Sequence, residues 1–368
     1  MLKRLFLIAV CLVGLAPHCL AADYGKVTTH KIADGVYLFT TTPYADVGFC
    51  GNSVAIITGE GVLVFDSAAT PETAQTILAE IRKLTDQPVR YLVNSHWHWD
   101  HWGGNQVFLD ANPLLQIISH EKNLEMMTQV EPRWNDHGLK EDLPHFLDDF
   151  EKQIAGAKAK GIPAERIKAA EQRLAADRNF LKQKQTLHKT PPNVTFSEAL
   201  TLHLGGREIQ VLHARAITPG DTYVFLPREK ILITGDIMLA PYPYAIGGTY
   251  PAEWTATLKR FAALKPAWII PGHGDAQKGD GDKFLSNNLR LFEESLARVK
   301  DAKSKGMTIE QAAEALGKQS SELAAIVGVP ADGAEQFKGY FLDVFVKRAF
   351  RELDAPLGDL PDGLPPAN

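Results

Sequence analysis

Apolar positions along this chain change their period several times, and the changes divide it into segments. Val36–Phe39 is a short apolar run of strand type. Val54–Ile57 and Val62–Phe65 face each other across Thr58-Gly59-Glu60-Gly61, the pattern of a hairpin. Ala74, Ile77, Leu78 and Ile81 fall at helical spacing and predict a helix over about 71–84. Val89–Val93 and Gln116–His120 read as two further strands.

From about 121 to 190 the period becomes helical. Phe146, Phe150, Ile154 and Ala157 make one stripe, Gly161-Ile162-Pro163 breaks it, and Ile167, Ala170, Leu174 and Leu181 make a second. This predicts a helical hairpin inserted into the main fold, as a lid or as a surface elaboration. Strands resume at 200–204 and 208–213, then in a hairpin of 222–226 with 231–234, then in Trp268–Ile270. Leu285, Leu289, Phe292, Leu296 and Val299, and later Phe337, Phe341, Val344 and Phe345, are helical core stripes. Thr308 with Gln311 has the spacing of a capping box. The expected organisation is a main α/β domain over 22–280, a helical extension over 281–354 and a loose Pro- and Gly-rich tail over 355–368. The extension either covers a sheet face or contributes to a homodimer.

The amino terminus alters the picture of where the protein works. Lys3 and Arg4 precede an apolar run from Leu5 to Ala16, with small residues at Ala21 and Ala22. That is the pattern of a secretory signal peptide over 1–21, and the run is too short for a comfortable membrane span. A periplasmic or secreted protein with no membrane attachment after cleavage is expected. Cys11 and Cys19 would leave with the leader, so Cys50 would have no partner for an intramolecular disulfide. The net charge of −5 becomes −7 once Lys3 and Arg4 are gone, and no basic stripe suits nucleic acid. A small molecule is the expected substrate.

The candidate chemistry is concentrated in His96-Trp97-His98-Trp99-Asp100-His101, between a strand and the flexible pair Gly103-Gly104. Imidazole nitrogen and carboxylate oxygen are the donors zinc takes. His96 and His98, two apart on extended chain, can chelate one ion. Asp100 and His101 can turn toward a second.

His-x-His-x-Asp-His resembles the signature of the metallo-β-lactamase superfamily, and the resemblance covers roughly residues 25–280. It implies a four-layer αβ/βα sandwich with one or two zinc ions at the sheet edge, and hydrolysis. It also implies roles for later residues. Asp236, in Gly235-Asp236, would bridge two metals or complete the second site. His273, in Pro271-Gly272-His273-Gly274, would be the last histidine ligand. Asp66 would support the metal loop, unless it caps the next helix.

The sequence departs from the family at one position. The family's turn His-Thr-x-Gly-Asp corresponds here to Ile217-Thr218-Pro219-Gly220-Asp221, and isoleucine cannot bind zinc. The first site is left with His96 and His98. His213 shares strand parity with Ile217 but lies about 13 Å away along extended chain. The second set, Asp100, His101, Asp236 and His273, should therefore hold zinc tightly and the first weakly. Such a site makes water a nucleophile near neutral pH, with Asp100 orienting it and carrying a proton to the leaving group.

The expected activity is zinc-dependent hydrolysis of an ester, thioester, lactone or lactam. The alternatives are a catalytically impaired ligand-binding member and an iron-dependent oxidoreductase on the same fold. Tyr242 and Tyr244, in a proline-stiffened loop over 240–250, shape a substrate pocket or serve packing. His120, His137, His145 and His188 are not expected to be ligands.

Overall fold

The computed structural model describes residues 23–279, 283–362 and 364, without the side chains of Trp134, Asp136 and His137. The expected leader and the His137 side chain lie outside the described residues.

Two sheets stack face to face. The first runs in sequence order: β1 (Val27–Ala33), β2 (Val36–Thr41), β3 (Ser53–Thr58), β4 (Gly61–Phe65), β5 (Val89–Val93), β6 (Gln116–His120) and β7 (Val194–Phe196). β1 to β4 pair antiparallel and β4 to β7 parallel. The second sheet contains β8 (Ala199–Leu204), β9 (Arg207–Ala214), β10 (Asp221–Leu226), β11 (Ile231–Gly235), β12 (Trp268–Pro271) and the short β13 (Gln277–Lys278). β11 and β12 are parallel, and the other pairs in this sheet are antiparallel.

Three apolar layers hold the sandwich. Between the sheets lie Val54, Ile56, Leu63, Phe65 and Val93 from one side and Val211, Val224, Ile231, Ile233 and Ile270 from the other. β4 and β11 are buried along their whole length, which is why they read as nearly continuous apolar runs. The helix Pro71–Leu84 closes the outer face of the first sheet through Ala74, Ile77, Leu78 and Ile81. Thr70 caps it by accepting from the Thr73 amide, and Pro71 opens it. The outer face of the second sheet carries helix Pro251–Leu264 and, over that, the carboxy-terminal helices Phe284–Ser304 and Asp343–Glu352. The extension thus covers a sheet face, and Thr308 with Gln311 forms the capping box.

The inserted hairpin comprises Leu143–Ala159 and Ala164–Gln185, joined by Leu147, Phe150, Ile154, Ile167 and Leu174. It is anchored beside the metal loop. Phe180 is buried against Tyr44 and Trp99, and Asp177 accepts hydrogen bonds from the amides of Asp46 and Val47 at 3.0 and 3.1 Å.

The tail, expected to be loose, is fastened as far as residue 362. Asp359 pairs with Lys122 and Arg215, and Asp362 pairs with Arg348 and Arg351 while its amide donates to Gly247. Its Pro and Gly content concealed these acidic anchors. No helix among the described residues is long and apolar enough to cross a membrane.

Candidate metal centre

The site lies where strands end. Asp66 follows β4, the His96–His101 loop follows β5, Asp236 follows β11 and His273 follows β12. These are the carboxyl ends of parallel strands, where α/β sheets place ligands. Chain exits from two sheets can converge there on one point, though the residues are far apart in sequence.

Four donor atoms form one tight group. His101 Nε2 lies 3.2 Å from both Asp100 Oδ2 and Asp236 Oδ1, and His273 Nε2 lies 3.0 and 3.5 Å from the same two oxygens. Tetrahedral zinc with bonds of about 2.0–2.1 Å separates its ligand atoms by about 3.3 Å. The spacings of 3.0–3.5 Å match that edge. Asp100 Oδ2, His101 Nε2 and Asp236 Oδ1 are also buried without any hydrogen-bond partner, although buried polar atoms are ordinarily paired. The residues present therefore fit a bound divalent ion.

A second group sits beside the first. His96 Nε2 and His98 Nδ1 are 2.7 Å apart, and Asp236 Oδ2 lies 3.6 Å from His96 Nε2. His96, His98 and Asp236 could hold an ion together, as could Asp100, His101 and His273. Of the two roles expected for Asp236, bridging two metals or completing the second site, this placement fits the first. Asp236 offers one oxygen to each side, so one carboxylate serves both groups.

Ile217 is fully buried in the apolar cluster of the second sheet's outer face, with Ile237, Met238 and Trp254. His213 does not replace it. Its ring stacks on His120 at 3.7 Å and its Nε2 donates to the Pro219 carbonyl. Asp221, at the end of the same turn, accepts from the Ala216 and Thr218 amides and from the Thr218 hydroxyl. It is a turn-forming residue here.

Asp66 acts behind the ligands. Its Oδ2 accepts from His101 Nδ1 at 2.8 Å and from the Ser95 hydroxyl at 2.7 Å, and its Oδ1 accepts from the Ser95 amide at 2.7 Å. Ser95 Oγ is 2.9 Å from His96 Nδ1. With its proton on Asp66, the hydroxyl must accept from His96 Nδ1–H. One carboxylate thereby sets the tautomer of both imidazoles and aims both Nε2 lone pairs at the site. Asp66 adopts φ +58°, a strained conformation for a non-glycine residue. It does not cap the following helix, since Thr70 does.

Electrostatics reinforce the fit. Asp66, Asp100 and Asp236 are all buried, and carboxylates in such a place need cations or strong donors. Burial pushes His96 well below the usual imidazole value, helped by His98 and His101, and pushes His98 down to about 4. Burial also opposes charge on His101, but Asp100, Asp236 and Asp66 outweigh it and hold that ring well above its usual value. Burial would raise Asp100 and Asp236, yet His101 and His273 keep both below the ordinary carboxylate range. The centre thus comprises ionised oxygens and imidazoles competing for positive charge.

Three supporting residues went unnoticed in the sequence. Ser95 carried a signal, since it immediately precedes the first histidine. Gly51 and Gly272 carried none. A Cβ at Gly51 would lie 2.4 Å from the His101 ring, and one at Gly272 would lie 2.0 Å from Asp236 Oδ1.

Fold and site together define a four-layer α/β sandwich with a metal-type donor cluster at its strand ends. The family model of the metallo-beta-lactamase superfamily matches residues 47–273, and the chain belongs to that superfamily. It is 23% identical over 272 residues to a linear primary-alkylsulfatase of a Pseudomonas species, covering 69% of this chain and 48% of that protein. The chain thus spans about half the length of that relative. It is 21% identical over 281 residues to a type 2 metallo-beta-lactamase of Elizabethkingia meningoseptica, covering 74% of this chain and 88% of that one. A metallo-beta-lactamase structure from Pontibacter korlensis superposes with a TM-score of 0.50 at 20% identity, over 73% of this chain and 99% of that one. That likeness agrees in fold.

Proposed function

We propose that this chain is an exported, zinc-dependent hydrolase acting on a small molecule with an ester, thioester, lactone or lactam bond. One observation carries the reading: Asp100 Oδ2, His101 Nε2, Asp236 Oδ1 and His273 Nε2 stand 3.0–3.5 Å from their neighbours at the spacing of tetrahedral zinc. The similarity to an alkylsulfatase adds a sulfate ester to the candidate bonds. Export rests on the leader-like residues 1–21.

His101, His273, Asp100 and Asp236 would hold the tighter ion, and His96 and His98 with the second oxygen of Asp236 the weaker one. Bound there, zinc supplies an acidified water and an electrophilic contact for the substrate oxygen. Asp100 holds the attacking water by its carboxylate and passes a proton toward the leaving group. Asp66, through His101 and Ser95, keeps the donor nitrogens aimed and takes no part in proton transfer to substrate.

The test is turnover of chromogenic carboxylate and sulfate esters and a chromogenic lactam by zinc-loaded, chelated and reloaded protein. Hydrolysis that disappears on chelation and returns with zinc is the expected result. Full zinc occupancy with no turnover across that panel would favour the ligand-binding alternative. Colour and stoichiometric iron in the purified protein would favour the oxidoreductase.

A further inference from the structure

Among the described residues, large apolar side chains are exposed at few places, and three of those are aromatic residues at the metal centre or joined to it. Phe49 is 48% exposed, and its ring centre lies 5.8 Å from that of His273 and 5.1 Å from that of Trp99. Tyr244 is 36% exposed, in a loop that starts where the Ala240 amide donates to the His273 carbonyl at 3.1 Å and whose Ile246 packs on the cluster of Trp97 and Trp102 from the metal loop. Tyr340, 47% exposed, stands 5.7 Å from Tyr244.

These rings are held from behind. Trp99 packs on Phe180 of the inserted hairpin at 5.4 Å, and a Cβ at Gly48 would meet the same Phe180 at 2.7 Å. The Ala245 amide donates to the Tyr340 carbonyl at 2.9 Å, and the Gly247 carbonyl accepts from Asp362 in the tail. The loop over 240–250 is thereby tied to the carboxy-terminal extension. The large exposed side chains beside the donor cluster are aromatic. Three rings are too few for a protein interface, which needs about 1,000 Å² or more. They suit an apolar chain lying against flat aromatic faces.

We propose that Phe49, Tyr244 and Tyr340 grip an extended apolar group, alkyl or aryl, beside the bond to be cleaved, so that the carboxy-terminal extension takes part in choosing the substrate. The proposal rests on the hydrolase reading above. The residue that distinguishes it, Tyr340, lies outside the matched family segment 47–273.

The test uses the zinc-loaded full chain and 4-nitrophenyl acetate, butyrate and octanoate, which share one leaving group. Burying a methylene corresponds to about fourfold in affinity, so wild-type kcat/KM should rise about tenfold or more from acetate to octanoate. Tyr340→Ala and Phe49→Ala should each lower that ratio about fivefold or more, and Tyr340→Phe should keep it. Zinc content equal to wild type verifies that each variant folds. A flat wild-type series, or alanine variants that keep the wild-type ratio, overturns the proposal. If the wild type hydrolyses none of the three esters, the hydrolase reading is decided by the sulfate ester and lactam of the wider panel, and calorimetric titration with octanoate and acetate decides the aromatic grip separately. Tighter binding of octanoate that is weakened in Tyr340→Ala supports it, and equal binding of the two acids overturns it.

Discussion

Asp66 and His101, thirty-five positions apart, are joined by a 2.8 Å hydrogen bond from Nδ1 to Oδ2 with both side chains fully buried. The same carboxylate reaches His96 through Ser95, so one residue orients imidazoles of both donor groups.

Asp66→Asn should therefore weaken zinc binding without destroying the fold. An asparagine keeps the size but offers one acceptor oxygen where two are used. Residues that orient metal-bound histidines are typically worth about 10–100-fold in metal affinity. Competition with a chromogenic chelator measures it, and an unchanged zinc affinity would show that Asp66 does not act through the ligands.

The two donor groups should fill in order. Wild-type protein titrated with zinc should bind its tightest ion at Asp100, His101, Asp236 and His273. His101→Ala should lose that ion, while His96→Ala should retain one ion near wild-type affinity. Metal content after dialysis against a weak chelator reads both. Anomalous diffraction placing the tightest ion between His96 and His98 would reverse the assignment.

Most of the sandwich was legible because its central strands β3, β4, β10 and β11 are buried on both faces and its helices on one. The β3–β4 hairpin, helix Pro71–Leu84 and the breaker at Gly161–Pro163 each follow from residue pattern alone. The donors were legible because His-x-His-x-Asp-His is a dense local signal. What was hidden depended on long-range approach. The close packing at Gly51 and Gly272 and the acidic latches of the tail have no sequence period to reveal them.

Ile217→His restores the family's residue type but should not restore a tight first site. The isoleucine packs among Ile237, Met238 and Trp254, and an imidazole there would be desolvated without an evident partner. A stability loss of about 2 kcal/mol is expected. Urea unfolding of the chelated variant measures the cost, and zinc titration checks that no second tight ion appears. A variant binding two ions tightly at unchanged stability would mean that this side chain can turn to the ligands.

The stacked pair His120 and His213 should make the fold acid-sensitive independently of metal. Their rings lie 3.7 Å apart at 9°, and each spends a ring nitrogen on a backbone carbonyl, of Ser197 and Pro219. His120 Nδ1 also accepts from the Lys122 amide, which requires that nitrogen to be unprotonated. Burial, then the neighbouring His213, lowers His120 to about 4, and burial lowers His213 too. The charged groups facing the pair, Glu121 and Glu198 with Arg215 and Arg260, leave this direction unchanged. Because the folded values lie below the unfolded value of 6.5, the unfolded chain takes up protons first. Stability is thus complete above about pH 6.5 and falls as pH drops toward 4. After discounting for solvent screening the loss is about 1–2 kcal/mol. His213→Gln keeps a donor for Pro219 and removes one of the two charges, so chelated variant protein should lose less stability than chelated wild type between pH 7.5 and 5. Parallel curves for the two proteins would mean that the stack does not govern the acid response.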